Sequence, residues 1–252
     1  MTKTLARSQG ILVLIGLLVL WDMAARLVQS PFVPSLSAVF QAGLTALTNG
    51  SLGENYLASL SRVLIGFAIG AGLGLATGTV LGVFRIADRI AGPLVIAFRQ
   101  IPLFGLVPLL GLWFGIGETA KIVLVSVATF YPVALNTQDG LRGVPQRYRD
   151  VAAAFTFSRW QAIRHVLLPG ALPAILTGLK HGLSFAWIAV VAAELFLAAA
   201  PGLGNILTAG RAQSRMDLVL LGVFLVGGTG YALTLAMAVL EKRLLRWRRV
   251  FS

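Results

Sequence analysis

Asp150-Val151-Ala152-Ala153-Ala154-Phe155-Thr156-Phe157-Ser158-Arg159-Trp160, continuing through Arg164 to Val166-Leu167-Leu168-Pro169, is a short, polar, helix-forming stretch set between long hydrocarbon runs. Such a stretch is either a plain connector or a surface held out to a soluble partner. Which of the two it is decides how the apolar segments on both sides are used.

Those segments dominate the chain. Of 252 residues 57% are hydrophobic and only 12% charged, about half the charge of an ordinary soluble domain. Repeated apolar runs of bilayer-spanning length make this a polytopic membrane protein, an all-α helix bundle. There are no cysteines, so disulfides and thiolate chemistry are excluded. His165 and His181 are the only imidazoles and no carboxylate cluster accompanies them, so no metal site is expected. No HExxH, GxSxG or Walker A sequence is present.

The net charge of +12 does not call for a nucleic-acid partner. Most of the basic residues fall in four stretches: Lys3 and Arg7; Arg85 and Arg89; Arg142, Arg147, Arg149, Arg159, Arg164 and Lys180; and Lys242, Arg243, Arg246, Arg248 and Arg249. One topology places all four in the cytoplasm, as the positive-inside rule requires. Both termini are then cytoplasmic.

Six spans are expected, at about 10–28, 60–84, 91–114, 120–137, 178–199 and 217–240. The first reads as an uncleaved signal-anchor in which Asp22 and Arg26, four apart, can pair. Residues 29–58 read as an outer interfacial helix, with Leu36, Val39, Phe40, Leu44 and Leu47 at helical spacing. In the second span Gly66, Gly70, Gly74, Gly78 and Gly82 fall every fourth residue. They form a smooth ridge, either a seam for a closely packed helix or the lining of a substrate path. The third span holds Arg99, Gln100, Pro102, Gly105 and Pro108, which implies a broken helix. Arg99 there either snorkels or faces a pore. Glu118 lies in a short outer loop, and Glu194 near the outer end of the fifth span. The glycine-rich stretch Pro201–Asn205 reads as a turn, and the tail 241–249 as a basic membrane anchor.

Residues 138–177 are the longest polar excursion on the cytoplasmic side. Pro145 suits the first turn of a helix running through Tyr148, Val151, Ala152 and Phe155. Ser158 and Gln161 form a capping box for a second helix presenting Trp160, Ile163, Val166 and Leu167, expected to end before Pro169. Each helix is too short to be stable alone. A partner's groove or the bilayer surface could support them, and physics alone leaves both open.

The spacing Asp150-x-Ala152-x3-Thr156-x9-Val166-x-Leu168-Pro169, with Ser158, Arg159 and Trp160 inside it, resembles the EAA loop of ABC-importer permeases, E-A-A-x3-G-x9-I-x-L-P. Arg62-Val63-Leu64-Ile65-Gly66-Phe67, Leu112-Trp113-Phe114-Gly115-Ile116-Gly117 and Asp217-Leu218-Val219-Leu220 look like the nitrate/sulfonate/taurine branch. The resemblance covers about residues 59–250. Thr156 stands where the family has glycine, and a β-branched residue is poor at positive φ. Either the turn needs no positive φ here, or the loop geometry differs.

The resemblance implies the MetI-like fold of importer permeases in a single domain. Residues 1–58 would be the anchor span and outer segment, 59–250 the core and 138–177 the coupling loop. It implies a multi-pass subunit of the bacterial inner membrane, dimeric and in contact with lipid. Loop residues Asp150, Ala152, Thr156, Ser158, Arg159, Trp160, Leu168 and Pro169 would seat on a separate ATPase subunit, which holds ATP and magnesium. A solute-binding protein would deliver a small solute such as a sulfonate, taurine or nitrate to the outer face, 29–58 and 200–213. Arg99, Pro102 and Glu194 are the candidates for the translocation path. No catalysis is expected on this chain. A secondary transporter driven by an ion gradient is the alternative; it would need a relay of paired intramembrane carboxylates or histidines.

Overall fold

The structure, a computed structural model, describes residues 2–197 and 200–246, without the side chains of residues 2–11 and Leu14. The side chains of Lys3 and Arg7 and the end of the basic tail, Arg248 and Arg249, therefore lie outside the described residues. In chain order the helices are α1 (Thr2–Val28), α2 (Leu36–Thr48), α3 (Ser51–Val83), α4 (Arg85–Arg99), α5 (Leu106–Phe114), α6 (Glu118–Arg142), α7 (Gln146–Ala154), α8 (Arg159–Ala162), α9 (Leu168–Phe196), α10 (Leu203–Ala212) and α11 (Met216–Leu244). Among the described residues four helical stretches are long and apolar enough to cross a bilayer: Ser51–Val83, Glu118–Arg142, Arg159–Phe196 and Met216–Leu244. The third expected span is broken, as its prolines suggested. Its two pieces, Arg85–Arg99 and Leu103–Phe114, meet at 83°. α1, at 27 residues, has the length of a crossing.

The chain forms two compact units, Met1–Ala58 with Pro201–Gly227, and Ser59–Ala200 with Gly228–Ser252. In the first, Asp22 carries the turn from α1 to α2. One carboxylate oxygen accepts from Arg26 Nε at 2.7 Å and the other from the Leu36 N–H, the first of α2, at 3.0 Å. A carboxylate at a helix N-terminus meets amides that lack intrahelical acceptors. Ser35 caps the same helix by accepting from the Ala38 N–H. Trp21 Nε1 donates to the Pro34 carbonyl, and its ring stacks on Phe224 at 6.0 Å. α2 buries Val39, Ala42 and Ala46 and exposes Phe40, Leu44 and Leu47, so it is amphipathic. The glycine-rich turn is shorter than expected: it ends at Gly202, whose N–H donates to Asn55 Oδ1 at 2.6 Å, and α10 starts at Leu203.

In the second unit everything is built on α6. Leu124, Val125, Thr129, Val133, Ala134, Thr137 and Leu141 are wholly buried. On one side lies α3, whose five ridge glycines all face α6. A Cβ on Gly66 would come within 2.5 Å of Val125, on Gly74 within 2.9 Å of Val133 and on Gly82 within 2.9 Å of Leu141. On Gly70 and Gly78 it would strike the Ser126 and Ala134 carbonyl oxygens. Rising positions on α3 meet rising positions on α6, so the two helices run parallel. α9 packs antiparallel on α6: Gly178 faces Asn136 at 2.7 Å from its would-be Cβ, Gly182 faces Val133 at 2.9 Å, and Gly140 faces Ala174 at 2.7 Å. Small residues let backbones touch, and in lipid that van der Waals contact holds helices together. α5 completes the core, where Val107 and Leu110 pack with Leu124, Ala193 and Leu197.

The seam predicts a contrast between neighbouring glycines. Gly70→Val forces a side chain into α6 and should cost about 1–3 kcal/mol, read as a lower thermal midpoint of the detergent-purified protein. Gly72 has nothing within 4 Å of its would-be Cβ; Gly72→Ala should leave the midpoint unchanged or raise it.

Candidate functional site

Pro145 precedes α7 with extended ψ and Gln146 opens the helix. α7 ends in a Schellman motif: the Phe157 N–H donates to the Ala152 carbonyl at 3.0 Å and the Thr156 N–H to that of Ala153 at 2.9 Å. This closure requires a left-handed residue at its corner, and Thr156 has φ +54°. The turn thus does need positive φ, and a β-branched residue adopts it. Thr156 Oγ1 donates to the Phe155 carbonyl at 2.8 Å. Ser158 then caps α8 in a full capping box: its N–H donates to Gln161 Oε1 at 2.8 Å, and its Oγ accepts from the Gln161 N–H at 3.3 Å.

The second helix does not end before Pro169. It continues through a π turn, Ile163–Leu167, into α9, a single run from Arg159 to Phe196. The Leu168 N–H reaches back five residues to the Ile163 carbonyl. Pro169 follows within the first turn of α9. A widened turn accommodates a residue that has no N–H to give and a ring that crowds the preceding turn.

The loop's inner side is fastened. Ala152 is buried, and Leu168 packs on Leu141, Ala171 and Ile175. Arg149 donates to the Leu141 carbonyl at 2.8 Å. Its outer side is aromatic and open: Phe155 is 71% and Trp160 67% exposed, with Tyr148, Val151 and Phe157 also exposed. Asp150, paired with Gln146 at 2.9 Å, and Arg159 border this patch. Six of the eight loop residues singled out in the sequence face outward; Ala152 is buried and Leu168 half-buried.

A separate cavity of about 570 Å³ lies at the break between α4 and α5, lined by Arg99, Gln100, Pro102, Tyr131, Asn136 and Asp139 among others. Arg99 and Pro102 come together there; Glu194 does not join them. Its carboxylate is buried on Arg62 (Nη1–Oε1 2.6 Å) and Ser59, whose Oγ lies 2.7 and 2.8 Å from the two oxygens. Arg62 is itself 3% exposed and also holds Glu118, Nε to Oε2 and Nη2 to Oε1, both at 2.6 Å. The Lys121 ammonium is fully buried, 4.0 Å from Glu118. This hub ties α3, α6 and α9 at their Ser59, Glu118 and Glu194 ends. Sequence reasoning missed it, although a signal exists: charged residues within spans must find partners.

The fold defines a class, an all-helical membrane protein with several bilayer-length helices and an exposed aromatic loop beside them. Residues 68–246 match the family described as binding-protein-dependent transport system inner membrane component, and the chain belongs to that family. It is 35% identical over 237 residues to the taurine transport system permease protein TauC of Escherichia coli, covering 92% of this chain and 86% of that one. It is 31% identical over 246 residues to the putative aliphatic sulfonates transport permease protein SsuC of Bacillus subtilis, covering 97% and 89%. The MetNI methionine ABC transporter in inward-facing conformations shares the fold, with TM-score 0.65 and 22% identity over 75% of this chain and 93% of that one.

Left-handed backbone at a non-glycine residue costs about 1–3 kcal/mol. Thr156→Gly should remove most of that cost and slow hydrogen exchange of the 155–158 amides. Thr156→Val keeps the branch, loses the hydroxyl and should speed it.

Proposed function

We propose that this chain is a permease subunit of an ATP-driven importer for a small sulfonate-type anion, paired with a second copy of itself in the inner membrane. The solute passes by the cavity at Arg99 and Pro102, where a guanidinium and the Gln100 and Asn136 amides suit an anion. The loop from Asp150 to Pro169, including Ala152, Thr156, Ser158, Arg159, Trp160 and Leu168, seats on a separate cytoplasmic ATPase subunit that binds ATP and magnesium. Both termini lie on that side. A binding protein delivers the solute to the opposite face.

The observation that carries this reading is the outward aromatic face of a loop whose inner face is fixed to α6 and α9. Exposed Phe155 and Trp160 on two capped helices make a rigid apolar plug, the form of a helix that fills a partner's groove. The names of the relatives support the solute class. A gradient-driven transporter fits less well: Glu118 and Glu194 are both held by Arg62, and Asp139 lines the cavity as its single carboxylate, without the second acid or histidine of a paired relay.

The test is proteoliposomes containing this chain with its ATPase and binding protein, supplied with radiolabelled taurine and alkanesulfonates. ATP-dependent uptake of one of these is expected. Trp160→Ala should lower it at least about tenfold, the loss of one buried aromatic anchor, while the chain still inserts. Uptake driven by a proton or sodium gradient without ATP would refute the proposal.

A further inference from the structure

The cavity at the break between α4 and α5 follows one face of α6 from Val127 to Asp139, about 18 Å along the helix axis. Asp139 is the last residue of α6 to line it and marks the end nearest the loop. Arg142, one turn further on, stands at the spacing of a helical ion pair. Its guanidinium is instead turned to Asp88, Nη2 to Oδ2 at 2.6 Å, and to the Leu81 carbonyl at 3.0 Å. Gln138 is likewise engaged, its Nε2 donating to Asp88 Oδ1 at 2.6 Å. Among the described residues the Asp139 carboxylate is left with no ion pair and no side-chain hydrogen bond.

Arg99, at the end of α4, is the cation among the residues lining the same space, and it too makes no ion pair. The cavity therefore holds two uncompensated charges of opposite sign. A plain anion is attracted by Arg99 but repelled by Asp139, which it must pass to leave toward the loop. Away from bulk water that repulsion is larger than at an open surface. A carboxylate at this place is a liability for an anion path, and charged side chains at a constriction are what sort solutes by charge. A solute that carries an ammonium group beside its sulfonate offers each of the two residues a partner, as charge-assisted hydrogen bonds require.

We infer that Asp139 is a specificity-determining residue, which favours small sulfonates bearing an ammonium group and holds back plain anions at the loop-side end of the cavity. Arg99 takes the sulfonate, and Asp139 takes the ammonium. The inference rests on the sulfonate reading of the cavity and narrows it to amino sulfonates. Asp88 has a part in this, because it draws Arg142 and Gln138 away and leaves the Asp139 carboxylate open to the solute.

The test uses the complete transporter in proteoliposomes with ATP and saturating binding protein. The two radiolabelled probes are taurine and isethionate, sulfonates of equal length that end in an ammonium and a hydroxyl. The readout is the ratio of taurine to isethionate uptake. The binding protein is the same in every sample, so a change of ratio belongs to the permease, and a loss of inserted protein leaves the ratio unmoved. Asp139→Asn should lower the ratio by about tenfold, the loss of one hydrogen bond between charged groups. Asp139→Glu should keep the parent's preference. Arg99→Gln should lower uptake of both probes and leave the ratio within about twofold, since both carry the sulfonate. A ratio within about twofold of the parent in Asp139→Asn, or an equal fall for both probes, refutes the role of Asp139 and leaves the sulfonate reading standing. If the parent transports neither probe, the sulfonate reading falls and this inference falls with it.

Discussion

The close approach of α3 and α6 is the constraint on which the second unit depends. Five glycines on one helix bring its backbone against carbonyl oxygens of the other, at Ser126 and Ala134, over four turns. Within a bilayer there is little hydrophobic drive to hold helices together, so contact area and polar links must do it. The seam supplies the area. It also leaves α6 flanked on both sides, by α3 running parallel and α9 antiparallel, with no slack for the three to slide past each other. Interfaces of this kind are bistable at best and transmit displacement as a body.

Polar links sit at both ends of the seam. At one end the Arg62 guanidinium bridges Glu118 and Glu194, and at the other Arg142 joins the Leu81 carbonyl and Asp88. They differ in kind. At the first, the Arg62–Glu194 pair is buried while Glu118 is half exposed; removing one partner of the buried pair costs about 3–5 kcal/mol because the other charge is left unpaired. The second is part-exposed and cheap to break.

Much of this was legible in the chain. The glycine period showed the ridge, the Arg99–Pro108 segment showed the broken span, and Pro145 with the Ser158–Gln161 pair showed two capped loop helices. Each is a local signal, carried by residues within a turn or two. The rest failed for identifiable reasons. Arg62 meets Glu118 and Glu194 at separations of 56 and 132 residues, which no local pattern encodes. Pro169 looked like a stop, but a π turn absorbs it. Thr156 is a poor residue for positive φ, yet two backbone hydrogen bonds of the Schellman closure hold it there. The closure geometry outweighed the residue's own preference.

The central claim is that the stretch 146–162 is a protein-docking surface and not a pair of helices resting on lipid. Hydrogen exchange of the permease in lipid nanodiscs, with and without its purified ATPase, separates the two. Docking predicts that the ATPase slows exchange of the 146–162 amides by at least about tenfold and leaves α2 unchanged. Equal exchange in both samples, with the two subunits shown to be bound, would contradict the account.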